Sequence, residues 1–144
     1  MTSHLNTRLI KLSESSLAVE PTEDTRGRRV VDRNCEQIGQ IDDLIIDERE
    51  VRVRFIEVAT FGEVAGRSRF HLPVDVITWV DERTVSVQPD CVKIDSGPQY
   101  EPDVMNPEYL AALFSHYECM PFWQDTYVYP TYPYYAKPAP CRIA

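Results

Sequence analysis

Glycine and tyrosine occupy separate parts of this chain, and that segregation limits the fold more than any single motif does. All five glycines lie between Asp24 and Gly97, whereas all eight tyrosines and seven of the eleven prolines follow Gln99. The middle part also holds eleven of the fifteen basic residues and a series of short β-branched runs punctuated by turn residues. It reads as all-β. No single pattern covers both parts, so the expected division is an arm over 1–23, a β domain over 24–98, a helix with an aromatic extension over 99–123, and a Tyr/Pro-rich tail over 124–144. At 144 residues and 16.6 kDa there is room for one ordinary domain.

Six strands are expected in the middle part: 29–32, 38–47, 51–59, 69–72, 76–80 and 84–87. Six short strands at this spacing favour a small barrel over an open sheet. Val51, Val53 and Phe55 alternate with Arg52 and Arg54, the period of a half-buried strand. Ile56 and Val58 are apolar at the other parity, and a β-bulge near Phe55 or Ile56 accounts for the flip. Pro73 has no amide hydrogen for a ladder and is expected to end the fourth strand.

One helix is expected after the β domain. Asn106 can cap it, Pro107 suits its first position, and Glu108 sits where the helix dipole favours an acid. Tyr109, Leu110, Leu113, Phe114 and Tyr117 then form an apolar stripe that ends before Pro121. The tail holds Tyr127, Tyr129, Tyr132, Tyr134 and Tyr135 among prolines that exclude helix and favour extended backbone.

The net charge of -8 repels a phosphate backbone unless basic residues share one face, so no nucleic acid is expected as a partner. Arg26, Arg28, Arg29 and Arg33 are the one basic concentration, and interspersed Asp24, Asp32 and Glu36 make it a mixed surface. Apolar runs such as 76–80 are far shorter than the roughly 20 residues that span a bilayer. Arg8 and Lys11 are followed by no apolar stretch of the signal-peptide kind. The expected location is therefore cytoplasmic; no C-x-x-C pair marks a zinc knuckle or a dithiol redox motif, and Cys35, Cys91, Cys119 and Cys141 are expected as free thiols in a reducing compartment.

No catalytic, cofactor or metal site is expected. Asp42, Asp43 and Asp47 read as a solvated rim, since neighbours on a strand face opposite ways. His116 and Cys119 could share a helix face but lack further ligands. His71 reads as a surface histidine opposite Phe70 and Leu72, and Cys91 as a small packed hydrophobe. No serine or cysteine sits in a glycine-rich elbow.

The run from Asp24 to Asp32 (DTRGRRVVD), with Gln37 to Asp47 (QIGQIDDLIID), resembles the opening of a PRC-barrel domain, the fold of the cytoplasmic part of the photosynthetic reaction centre H subunit. Val53 to Val58 and Arg69 to Pro73 look like its third strand and strand-then-proline element. Arg8 to Ser13, Asn106 to Tyr117 and Pro121 to Trp123 are similar to the lead-in, helix and aromatic end of stand-alone bacterial members. Cys35 stands where the family usually has a turn glycine, and the tail has no counterpart.

The resemblance implies a mainly β fold, a small six-stranded PRC-like barrel, acting as a docking module and not as an enzyme. The apolar groups left over, Leu110, Leu113, Phe114, Tyr117, Phe122, Trp123, Tyr127 and Tyr129, are the candidate interaction surface. They either cover the barrel's own face or pair two chains, and a homodimer with a further, unidentified protein partner is the leading expectation. Two family analogies stand beside it: a ribosome- or RNA-associated adaptor like the maturation factors, and an accessory protein bound peripherally to a photosynthetic or membrane electron-transfer complex.

Overall fold

Alternation in the sequence becomes one continuous ladder of strands. The computed structural model describes residues 5, 7–64, 67–136 and 139–141, with the side chains of 62–64 and 67 outside that description. The outer ends of the arm and of the tail therefore lie outside the described residues. The strands are β1 (Leu9–Lys11), β2 (Arg29–Val31), β3 (Gln37–Asp47), β4 (Val53–Val64), β5 (Arg67–Pro73), β6 (Ile77–Val80) and β7 (Thr84–Val87). Six of them form a curled half-barrel in the order β5-β4-β3-β2-β7-β6, and β1 pairs with the far end of β3. Every pairing is antiparallel except β2 with β7, which is parallel.

All six expected strands are present. The fourth ends at Pro73, and the third begins two residues late because Val51 takes a positive φ of 54° in the turn after Asp47. The parity flip in β4 is a bulge: Ile45 pairs with Phe55 and Ile46 with Val53, leaving Arg54 as the extra residue. A second bulge leaves Asp42 unpaired on β3. Besides three single-turn 3-10 helices, Leu12–Glu14, Pro21–Glu23 and Val74–Val76, two elements went unforeseen. Leu9 and its neighbours form β1 instead of a loose patch, and Cys91–Asp95 forms a short helix, α1, capped by the Asp90 side chain. At Cys35 the chain takes the left-handed turn that glycine usually takes, with a φ of 63°.

The interior of the curl is filled by Val30, Ile41, Leu44, Ile56, Val58, Leu72 and Val85, all at most 1 % exposed. Its outer face is covered as well. Helix α2 (Pro107–His116) packs there, with Leu110, Leu113 and Phe114 buried, and the tail runs on from it as an extended strap. Tyrosine hydroxyls fasten the strap to the barrel: Tyr127 donates to Asp75 Oδ2 at 2.8 Å, Tyr129 to the Val53 carbonyl at 2.9 Å and Tyr132 to the Glu23 carbonyl at 2.6 Å.

Cys35 and Cys141 form a disulfide between the β2–β3 turn and the strap's end, which corrects the expectation of four free thiols. The two residues are 106 positions apart in sequence but 5.5 Å apart at Cα, a distance that spacing along the chain could not reveal. Cys91 and Cys119 remain free.

Arg54, placed by its bulge, links the layers. Its Nε donates to Asp47 Oδ2 at 2.7 Å and its Nη2 to Glu50 Oε2 at 2.8 Å, while the guanidinium lies over Phe122 at 4.5 Å and over Tyr129 at 5.7 Å. Asp47 is fully buried, whereas the Glu50 side chain is 58 % exposed. Arg54→Met strands a buried carboxylate and is expected to cost about 3–5 kcal/mol. Glu50→Gln removes only an exposed partner and is expected to cost less than about 1 kcal/mol. Urea unfolding of the two variants checks this, and equal losses would contradict it.

Candidate functional site

The apolar stripe of α2 is set by its start. Asn106 Oδ1 accepts from the amides of Glu108 at 3.0 Å and Tyr109 at 3.2 Å, and Pro107 occupies the first helical position. Tyr109, Leu110, Leu113 and Phe114 then face the sheet. Tyr117 and Phe122 are also buried, and Phe114, Phe122 and Trp123 meet edge to face with centroids 5.0–5.8 Å apart. Trp123, Tyr127 and Tyr129 are half-buried against the same core. The eight residues named as a candidate surface thus form one layer over the barrel's own outer face. Only parts of Trp123, Tyr127 and Tyr129 reach solvent.

Beneath that layer lies a chain of polar groups. Glu57 on β4 and His71 on β5 are cross-strand partners, each 2 % exposed. His71 Nε2 is 3.1 Å from Glu57 Oε1, and His71 Nδ1 is 2.6 Å from the Tyr109 hydroxyl on α2. Tyr100 donates to Glu57 Oε1 at 2.8 Å, and Lys11 Nζ on β1 lies 3.3 Å from the same oxygen. Arg69 approaches Glu57 Oε2 at 3.4 Å and pairs with Asp42 outside. An ionised carboxylate only accepts, so His71 carries its proton on Nε2 and accepts from Tyr109 at Nδ1.

The surface reading of His71 is corrected here. It does face away from Phe70 and Leu72, but that face is covered by α2 and by the Tyr100 loop, with the Tyr100 ring 4.9 Å away. The rim reading of the three aspartates also fails in part. Asp42 is on the surface, but Asp43 is buried and accepts from the Ser13 amide at 3.2 Å and from its hydroxyl, and Asp47 is buried on Arg54. His116 Nε2 donates to the Lys93 carbonyl at 2.6 Å, tying α2 to α1, while Cys119 Sγ turns to the Tyr117 carbonyl at 3.4 Å, so the two do not share a ligand position. Cys91 Sγ points at Asp32 Oδ2, 3.4 Å away; burial and the two nearby carboxylates of Asp32 and Glu36 push its thiol up to about 11. Glu57, Tyr100 and Lys11 escaped the sequence reading. The available signal was Glu57 and His71 each standing alone inside an apolar run.

A curled half-barrel of six strands, trimmed by a covering helix, defines a small β-barrel class of protein. Residues 21–98, more than half of the chain, match the PRC-barrel domain, and the chain belongs to that family. No curated protein matches it.

Burial is the largest influence on both members of the central pair, and it acts on them in opposite senses. It pushes His71 below its ordinary 6.5 despite Glu57. It works to raise Glu57, but the bonds from His71 and Tyr100 and the charge of Lys11 outweigh it and hold the carboxyl at about 2. Both folded values lie below the unfolded ones, so the stability they contribute is present above pH 6.5 and is lost as pH falls through 6.5 and then from 4.5 toward 2. The thermal midpoint should decline between about pH 8 and about pH 5.5, and His71→Gln should flatten that first decline and shrink the later one, to which the His71 bond contributes. A wild-type midpoint constant over that range would contradict the assignment.

Proposed function

We propose that the chain is a non-enzymatic protein-interaction or assembly module of the PRC-barrel type that associates with itself. The observation that carries this reading is Val128. Tyr127 and Tyr129 are pinned to the barrel by their hydroxyls, and the residue between them faces outward. Val128 is 82 % exposed, and Met120, linked to the same stretch through the Thr126 hydroxyl, is 48 % exposed. An apolar side chain fixed in an outward position offers contact at little ordering cost, the economy a docking surface needs.

The interior polar chain supports the same reading. Its central pair is sealed beneath α2 and joins β4 and β5 to three further segments, β1, the Tyr100 loop and α2, which suits a device that stiffens a scaffold. No helix among the described residues is long and apolar enough to cross a membrane, so attachment to a membrane complex would be peripheral. In a reducing cytoplasm the Cys35–Cys141 bond would open. The tyrosine hydroxyls and Arg54 would still hold the strap.

Sedimentation equilibrium at micromolar concentration should give about twice 16.6 kDa if the interface is of standard size. Val128→Asp should return the mass to that of one chain with an unchanged far-ultraviolet circular dichroism spectrum, and its thermal midpoint should no longer depend on protein concentration. A wild-type monomer throughout that range would remove self-association from the proposal.

A further inference from the structure

The parallel pairing of β2 with β7 has a geometric result that the antiparallel strands do not share. Parallel neighbours begin at the same end, so the loop entering β2 and the hairpin entering β7 lie side by side. Arg29 pairs with Thr84, and the Arg29 amide donates to the Arg83 carbonyl at 3.0 Å. Arg26, Arg28 and Arg29 from one loop thereby meet Arg83 from the other around a cleft of about 640 Å³. That volume lies within the range of small-molecule sites. Cys141 forms part of the wall, held there by its bond to Cys35.

Two of the three acids in the cleft have hydrogen-bond partners of their own. Asp24 takes the Arg26 guanidinium through two hydrogen bonds of 2.8 and 2.7 Å. Asp81 accepts from Trp79 Nε1 at 3.0 Å and from the amides of Arg83 and Thr84 at 2.9 Å each. Arg28 is steadied by the Asp81 carbonyl at 2.8 Å and the Asp24 carbonyl at 3.5 Å, and Arg29 Nη1 donates to Gln37 Oε1 at 3.4 Å, which together take three of the ten N–H groups of the two side chains. Among the described residues, Arg28, Arg29 and Arg83 form no salt bridge. Four arginines against Asp24, Asp81 and Glu82 leave the cleft with one net positive charge on a protein of net charge -8. Gly27, at a φ of 88°, makes the turn between Arg26 and Arg28 that a residue with a side chain would strain.

We propose that this cleft binds a compact phosphate-bearing small molecule. Guanidinium forks reaching in from two loops suit an acceptor whose oxygens point in several directions, as phosphate oxygens do, better than one planar carboxylate. The surrounding negative charge favours a compact anion over a long polyanion, which would have to continue onto acidic surface.

Isothermal titration of the intact protein with inorganic pyrophosphate at low salt should show one site per chain. Arg29→Gln and Arg83→Gln should each weaken it at least tenfold, while Arg33→Gln, in the β2–β3 turn and outside the cleft, should leave it unchanged. Both tested side chains are exposed, and the β2–β7 bond between them is made by backbone, so melting curves of the variants should match the wild type. Absence of pyrophosphate binding overturns the proposal, as does equal weakening by Arg33→Gln. Citrate binding as tightly as pyrophosphate overturns the phosphate assignment. Tighter binding of single-stranded RNA, lost in the same two variants, replaces the small molecule with a nucleic acid.

Discussion

Arg54 leaves the β3–β4 ladder at a bulge, and its guanidinium then meets carboxylates along its edge and aromatic rings on its face. The two kinds of contact do not compete, because a planar cation can donate in its plane and be stacked above it. The carboxylates belong to the β3–β4 turn, and the rings belong to the segment that follows α2. One buried charge therefore fixes the distance between the sheet and its outer cover. Without that cover the outward side chains of β4 and β5, Glu57 and His71 among them, would face water and have no reason to associate.

Covering a sheet on both faces changes what a sequence pattern means. In β4 every residue from Val53 to Val58 is buried, although Arg54 and Glu57 stand at positions that alternation assigns to solvent. The strands, the bulge, the Pro73 stop and the Asn106 cap were legible because each rests on contacts within a few residues. His71 was placed on the correct side of its strand, but the covering of that side by Tyr100 and Tyr109 depends on how α2 docks. The eight aromatic and aliphatic residues of the helix and tail were recognised as needing a surface. Whether that surface was their own barrel or a second chain is a question of tertiary arrangement that local pattern does not answer.

What the sequence hid was set by separation along the chain. Cys35 and Cys141 lie 106 residues apart, and Arg83 joins the arginines near the start of the domain only through a parallel pairing that skips four strands. Composition foretold a mixed surface at Arg26 to Arg33, and the acids there do intersperse. It could not foretell that Asp24 would pair with Arg26, that Asp81 would accept from neutral N–H groups, or that Arg83 would come beside Arg28 and Arg29.

The β2–β7 seam also orders the way the domain comes together. The β3–β4 and β4–β5 pairs join neighbouring strands, as does β6–β7, so each can form from a short closed loop. The parallel seam joins Arg29 to Thr84 and must wait until the chain between them has curled. Long loops close at greater entropic cost, and such contacts form late in folding. By this measure the seam is the last of the strand pairings to form, ahead of the strap, whose contacts close longer loops still. A ligand held across it would slow unfolding more than it speeds folding, since it binds a surface that exists only when the half-barrel is complete.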